Sequence, residues 1–181
     1  MSRLITRRTA LAAAIAALPL AALPRRPTSA AAPAPALLRQ PQGKVILTIS
    51  GTIATTNAAA AAVFDLAMLE ELGVKSFSTT TPWYNGAVSF EGVPMARLLD
   101  HVGAAGTKVT AQALNDYSTE IPQDDFRSFG AILALKRDGA YMPVRDKGPL
   151  FIVYPYDSDP ALKHQRYYSR SAWQVARLVV T

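Results

Sequence analysis

The chain has 181 residues, with 19 Lys and Arg against 13 Asp and Glu, and a formal net charge of +6. Five arginines and no acidic residue lie in the first 31 positions, so the rest of the chain carries a formal charge of only +1. So small a charge argues against a nucleic-acid-binding protein. The sequence contains no cysteine, which excludes disulfide bonds and thiolate ligands to a metal.

The N-terminus has the features of a twin-arginine export signal. Arg7 and Arg8 stand in the stretch "TRRTAL", and an alanine-rich apolar core follows over Thr9–Leu23. This core is too short and too weakly apolar to span a bilayer stably. Arg25 and Arg26 come directly after it, where positive charge disfavours the general secretory route. We therefore predict a signal peptide, with a disordered basic N-terminus or a retained membrane anchor as the alternatives.

Small residues after the signal core provide a cleavage site, which we place after Ala30 or Ala31. The predicted organisation is a signal peptide over residues 1–31, a Pro/Ala-rich linker over residues 32–43 and one domain over residues 44–181. Cleavage of the signal would leave no transmembrane anchor, and the expected location is the periplasm.

Short strands and short helices are predicted along the domain, in an irregular order. The helices are expected within Phe64–Gly73, with Asp65 as the N-cap, and within Phe90–Gly103. The dipeptide Asn85-Gly86 predicts a tight turn. Many short strands interrupted by helices predict an α+β domain with a mixed or antiparallel sheet. Strand composition marks Lys44–Ser50, Val74–Thr81, Lys108–Leu114, Ser118–Ile121, Ala131–Leu135, Leu150–Tyr154 and the segment "WQVARLVV".

Six short motifs occur in an order that resembles a known family. They are Phe64-Asp65-Leu66 with Leu69, "STTTPW", Phe90-x-Gly92-Val93-Pro94 before Leu98-Leu99, "NDYSTEIP", Asp138-Gly139 before "GPLFIVYP", and "SRSAWQVARLVV". This succession resembles the molybdopterin-binding domain of the sulfite oxidase family, over Lys44 to Thr181. The resemblance implies a compact mixed-sheet α+β domain in which loops from several strands form a pterin-binding cleft. It also implies loading with molybdenum cofactor before export, which agrees with a twin-arginine signal.

One position departs from what the resemblance implies. In family enzymes the strand corresponding to "SFSTTTPWYNG" ends in a cysteine whose thiolate binds molybdenum, and this chain places Trp83 there. An indole has an N–H donor and no lone pair for a metal. The hydroxyls of Thr79–Thr81 and Tyr84 are not like-for-like replacements for a soft thiolate. The resemblance therefore supports the fold more strongly than the activity. The alternative of a bound pterin whose metal is held only by the pterin's own sulfur atoms remains open.

A basic and aromatic segment from Tyr154 to Trp173 is the strongest candidate for ligand binding. Cations beside flat rings suit an anionic aromatic ligand, because guanidinium groups grip oxyanions and rings stack. By the resemblance, Arg170 matches the arginine of the family's closing motif and Trp83 faces the same cleft. The alternatives are a solvated loop, a Trp83 that only fills the core, and an ordinary turn at Asn115-Asp116. The candidate binding residues are Trp83, Tyr84, Asn85, Asn115, Asp116, Lys163, His164, Arg166, Tyr168 and Arg170.

Other charged groups are assigned structural roles. Asp124 and Asp125 suit the first turn of a helix, and adjacent carboxylates do not point at one spot, so an acid/base pair is not predicted. The stretch Arg145–Gly148 predicts a charged turn with local ion pairing. His101 and His164 are the two histidines of the chain, and with no thiol they match no zinc or haem site. We therefore predict no metal site.

Two classes of function follow from these observations. The first is a periplasmic, non-catalytic protein that binds a small anionic or pterin-like ligand, or a membrane signalling or redox partner, in the former cofactor cleft. The second is a molybdopterin-dependent oxidoreductase of the sulfite oxidase type with an unusual, cysteine-free metal environment. The missing cysteine favours the first class, since catalysis at molybdenum depends on the ligands of the metal. The residues by themselves identify no cofactor, and the resemblance makes molybdopterin the candidate cofactor.

Overall fold

Ten strands and four short helices lie within residues 38–181, the part of the chain that the computed structural model describes. The strands are β1 (Leu47–Gly51), β2 (Ala61–Phe64), β3 (Lys75–Thr81), β4 (Tyr84–Pro94), β5 (Lys108–Ala113), β6 (Ser118–Pro122), β7 (Ile132–Arg137), β8 (Ala140–Tyr141), β9 (Phe151–Val153) and β10 (Val175–Val180). The helices are α1 (Leu66–Glu71), α2 (Met95–His101), α3 (Gln123–Phe129) and α4 (Gln165–Arg170). The predicted α+β class is confirmed. The predicted signal peptide and its cleavage site lie outside the described residues.

The strands form two sheets. The first has the order β2-β1-β10-β5-β6, in which β1 and β10 are parallel and the other neighbours are antiparallel. The second has the order β3-β4-β7-β8, with β9 also paired to β7, and is antiparallel throughout. The first sheet is therefore mixed, in agreement with the irregular order of elements in the sequence. No helix of the described part is long and apolar enough to cross a bilayer.

The hydrophobic core contains side chains from both sheets and from the helices. Phe90 of β4, Phe126 of α3 and Phe151 of β9 are each at most 1% exposed. All three residues of β9 are buried, as are the first four of β7, so these two paired strands have no solvent-facing side there. Burial on both sides explains why these strands read as continuous apolar runs.

Asp65 fixes both the start of α1 and the chain that precedes β1. One carboxylate oxygen accepts the backbone N–H of Met68 at 2.8 Å, as predicted for an N-cap. The other accepts the backbone N–H groups of Gln42 and Gly43, each at 2.8 Å. These donors, led by that of Met68, lower the pKa of Asp65 because they stabilise the charged carboxylate. The end of the predicted linker is thus held against the domain.

The predicted turn at Asn85-Gly86 is wrong. The chain reverses at Pro82-Trp83, two residues after Thr80, and β4 already begins at Tyr84. Asn85 and Gly86 instead form a bulge, because Thr80 pairs with Ala87 whereas the next residue of β3 pairs with Tyr84. Gly86 adopts a φ of 73°, the left-handed backbone that glycine allows. Proline presets the φ that a turn requires, so it outweighs the Asn-Gly signal here.

Candidate binding cleft

A cleft of about 310 Å³ opens where the β3–β4 turn meets α4 and the segment that leads into β10. None of the side chains that line it is charged. It is called the aromatic cleft below, because four of its residues carry aromatic rings. Three of the predicted binding residues, Trp83, Asn115 and Tyr168, line it together. The lining residues are Pro82, Trp83, Asn115, Tyr117, Gln165, Tyr168, Ser169, Ser171 and Trp173.

Trp83 lies at the centre of the aromatic cleft and is half-buried. Its contacts are edge-to-face, an arrangement that aromatic pairs prefer. The ring therefore packs against the core on one side and lines the cleft on the other. Its ring centroid lies 5.4 Å from that of Phe151, 6.3 Å from Tyr156, 6.0 Å from Tyr168 and 5.7 Å from Trp173.

Helix α4 supplies one wall of the aromatic cleft. Gln165, Tyr168 and Ser169 line the cleft, and their spacing of three and four residues places them on one face of the helix. Arg166 and Arg170 are also four residues apart and lie on another face. Neither arginine lines the cleft. The sequence analysis predicted all four basic residues of this segment as ligand contacts. It did not predict which face of the helix would form the cleft wall, and the basic residues do not line the cleft.

Arg170 points away from the aromatic cleft and pairs with Asp125 of α3. The guanidinium donates to the carboxylate at 2.5 Å, and the two side chains are 20% and 12% exposed. The hydroxyl of Tyr154 donates to the same carboxylate oxygen at 3.3 Å. Burial and then the Asp125 charge raise the pKa of Tyr154, since both disfavour the phenolate. Arg170, a predicted binding residue, therefore does not line the cleft, and its charge already has a partner.

The other basic residues of the segment are also engaged elsewhere or exposed. Lys163 forms an ion pair with Asp157 at 2.6 Å, and Asp157 also accepts the backbone N–H and the hydroxyl of Thr80, each at 2.6 Å. His164 caps α4, because its Nδ1 accepts the backbone N–H of Arg166 at 3.1 Å. The Arg166 side chain is exposed. These residues surround the cleft without lining it.

Three further predicted residues lie apart from the aromatic cleft. Tyr84 donates its hydroxyl to Asp146 at 3.1 Å, and burial is the main cause of the raised pKa of Tyr84. Asn85 is exposed in the β4 bulge. Asp116 lines a separate open groove with Arg177. The structure therefore separates Asn115, which lines the cleft, from its neighbour Asp116.

The charged stretch Arg145–Gly148 does form a turn, and Val144–Asp146 are a single turn of 3-10 helix. The predicted local pairing is wrong, because Asp146 pairs with Arg137 of β7 at 2.7 Å. That pairing leaves the adjacent Lys147 without an ion pair in the described part of the chain.

Lys147 is a basic residue in contact with the wall of the aromatic cleft, and the sequence analysis did not predict it as a binding residue. Its Nζ atom is 4.6 Å from the ring centroid of Trp173, which lines the cleft, and 5.4 Å from that of Tyr84. Its backbone φ of 61° is unusual for a residue other than glycine. The carbonyl of Lys147 accepts the backbone N–H of Gln174 at 3.0 Å, which fixes the turn beside Trp173.

The sequence analysis also missed several uncharged residues of the cleft. Trp173 belongs to the closing motif "SRSAW", and Tyr117 belongs to "NDYSTEIP", so both were quoted without a role. Tyr117 donates its hydroxyl to the backbone carbonyl of Ser169 at 2.7 Å, and this bond joins the loop after β5 to α4. Both the edge-to-face contact of Trp173 with Trp83 and the hydrogen bond of Tyr117 join segments that are distant in the sequence.

The fold and the aromatic cleft define an α+β domain with a concave site built from loops of both sheets and a short helix. The chain belongs to the oxidoreductase molybdopterin-binding domain family, whose model matches residues 60–157. This confirms the resemblance to the sulfite oxidase type, although the matched residues end before α4 and β10. No curated protein matches the chain.

The residues of the cleft do not fit a molybdenum centre. The chain has no cysteine, and the indole of Trp83 stands where the resemblance places the metal-binding thiolate. Within residues 38–181 no cluster of three His, Cys, Asp or Glu side chains is placed to hold a metal ion. The rings, amides and hydroxyls of the cleft instead suit a flat heteroaromatic compound, which can stack on rings and form hydrogen bonds along its edge.

Proposed function

We propose that this protein is an exported, non-catalytic binding protein that holds a flat, anionic, pterin-like compound in the aromatic cleft. The observation that carries this proposal is the position of Trp83. It lies among four other aromatic rings and lines the cleft at the place where the family resemblance puts a metal-binding cysteine.

The shape and chemistry of the cleft support a flat ring as the ligand. Concave sites with mostly apolar linings and a few polar groups are typical of small-molecule binding. The rings of Trp83, Tyr168 and Trp173 offer apolar contact to a planar compound. The side-chain amides of Asn115 and Gln165 can each donate and accept hydrogen bonds, as the edge of a pterin requires.

Lys147 supports an anionic group on that ligand. A cation held against an aromatic face, with no ion-pair partner within residues 38–181, favours the approach of an anion. Arg170 and Lys163, in contrast, already have Asp125 and Asp157 as partners. We therefore propose that the anionic part of the ligand lies on the Trp173 side of the cleft rather than on the α4 side.

Membership of the family also favours a second candidate, a molybdopterin-dependent oxidoreductase. In that case the pterin would supply all of the metal's sulfur ligands, because the chain contributes no thiolate.

The test is to purify the protein from cells that make molybdenum cofactor and to measure its metal content and absorbance spectrum. Purified protein is then titrated with pterin-6-carboxylate and with unsubstituted pterin. Both tryptophans of the chain line the cleft, so quenching of their fluorescence reports binding there. We expect far less than one molybdenum per chain and tighter binding of the carboxylated pterin. Stoichiometric molybdenum with turnover of sulfite or a sulfoxide would establish the enzyme instead.

A further inference from the structure

Asp125 lies outside the aromatic cleft but is joined to one of its walls by a single side chain. It belongs to α3, and its carboxylate accepts from Arg170 at the end of α4. Tyr154 donates to the same carboxylate, and the Arg170 guanidinium lies 5.6 Å from the ring centroid of Tyr167. The ion pair is therefore enclosed by two aromatic side chains, which shield it from solvent.

Helix α4 depends on such contacts for its position. It has only six residues, and none of them is fully buried. A helix this short is unstable in isolation, because too few hydrogen bonds form to offset the cost of nucleation. Its other attachments include the bond from Tyr117 to the carbonyl of Ser169 and the packing of Tyr167 against Phe129 and Tyr154. Tyr168 also packs against the rings of Trp83 and Tyr156.

We infer that Asp125 is a positioning residue for the aromatic cleft, because it fixes α4 through Arg170 and so holds Gln165, Tyr168 and Ser169 in the cleft wall. The inference concerns the geometry of the wall, and it rests on the proposed function only where it predicts ligand affinity. Asp125 itself contacts no ligand.

The test compares two isosteric changes in adjacent residues of α3. Asp125→Asn removes the charge that holds Arg170, whereas Asp124→Asn makes the same chemical change on an exposed side chain. Hydrogen exchange is measured at the amides of α4 and, as a reference for global stability, at those of β10. Acrylamide quenching of the two tryptophans reports how open the cleft is, without any ligand.

For Asp125→Asn we expect exchange at α4 to be faster by about tenfold or more, beyond any change at β10. Acrylamide quenching should increase, and affinity for pterin-6-carboxylate should fall by about tenfold. Asp124→Asn should match the wild type in all three measurements. A purely structural role for Asp125 would instead accelerate exchange at α4 and β10 equally.

A double variant keeps the test decisive if Asp125→Asn folds poorly because it leaves the Arg170 charge without a partner. Asp125→Asn with Arg170→Met removes both charges and should fold, while retaining fast exchange at α4 and the open cleft. Wild-type exchange at α4 and wild-type quenching in the folded variants would overturn the inference. Failure of the wild type to bind either pterin would overturn the proposed function, and exchange and quenching would still decide the role of Asp125.

Discussion

The ammonium group of Lys147 lies over the indole ring of Trp173, 4.6 Å from its centroid, and forms no ion pair within residues 38–181. We expect this arrangement to give the aromatic cleft a positive electrostatic potential. Iodide quenches indole fluorescence by collision, so its efficiency depends on the local concentration of the anion. Both fluorescent indoles of the chain lie in the cleft.

The first prediction is that Lys147→Met lowers the quenching constant for iodide by about two- to fivefold at low ionic strength. Methionine keeps most of the apolar contact with Trp173 and removes the charge. Quenching by neutral acrylamide should not change. Lys163→Met is the matched control, because the Lys163 charge is paired with Asp157 and its loss should affect iodide quenching much less. Equal iodide quenching in wild type and Lys147→Met would rule out this potential.

The second prediction concerns Trp83, which contacts four aromatic rings while half-buried. Trp83→Ala should lower the free energy of unfolding by about 2–4 kcal/mol, somewhat less than for a fully buried aromatic residue. It should also reduce binding of the pterin probes. Trp83→Phe retains a ring, and we expect it to be milder in both respects. Urea denaturation followed by circular dichroism measures the change without relying on the tryptophan signal.

The third prediction compares two arginines of α4. Arg170→Ala should lower the free energy of unfolding by about 3 kcal/mol, because it leaves the Asp125 carboxylate buried without its partner. Arg166→Ala removes an exposed side chain from the same helix, and its effect should stay within about 0.5 kcal/mol. Similar urea denaturation curves for the two variants would contradict the ion-pair assignment.

The fourth prediction concerns acid stability and Asp157. The side chain of Lys163, followed by the two donors of Thr80, holds the pKa of Asp157 well below its usual range. The carboxylate therefore stabilises the fold above its unfolded pKa of about 3.9, and this contribution is lost as the pH falls through the lower folded pKa. The stability difference between wild type and Asp157→Asn should be constant near neutral pH and should narrow below about pH 4. Urea midpoints between pH 7 and pH 2.5 provide the measurement, and a difference that widens on acidification would contradict it.

The fifth prediction addresses the proposed export route. Replacing both Arg7 and Arg8 by Lys should leave the precursor in the cytoplasm, because the twin-arginine signal requires the arginine pair. Fractionation of cells that express the wild type and the variant measures this. Normal export of the variant would remove the support for this route.

The elements that the sequence predicted correctly depend on local chemistry. Asp65 caps α1 because its carboxylate reaches a backbone N–H three residues ahead, and this requires no distant partner. The turn at Asn85-Gly86 failed because two local signals competed, and Pro82 determined where the chain reversed. Short-range rules alone do not rank such signals.

The cleft was harder to predict, because its residues meet through tertiary contacts. The partner of Arg170 lies 45 residues away, and the direction of its side chain depends on the phase of a six-residue helix. Lys147 contacts the cleft through the ring of Trp173. Trp173 is in turn held by an isolated β-bridge to Phe151. Trp83 was identified through the family resemblance, and Tyr168 through the aromatic and basic composition of its segment. Composition does not specify which side chains turn inward.

The parallel pairing of β1 with β10 has a consequence for when the domain can form. Thr48 pairs with Arg177, roughly 130 positions later in the chain, and β10 separates β1 from β5 at the middle of its sheet. When only β1 to β9 have been synthesised, the β2-β1 pair and the β5-β6 pair therefore have no strand between them. The sheet closes only after the residues of β10 have emerged, so this domain cannot complete its fold before β10 has been synthesised. If the chain takes the twin-arginine route proposed above, we expect β10 to pair with β1 and β5 in the cytoplasm, before translocation.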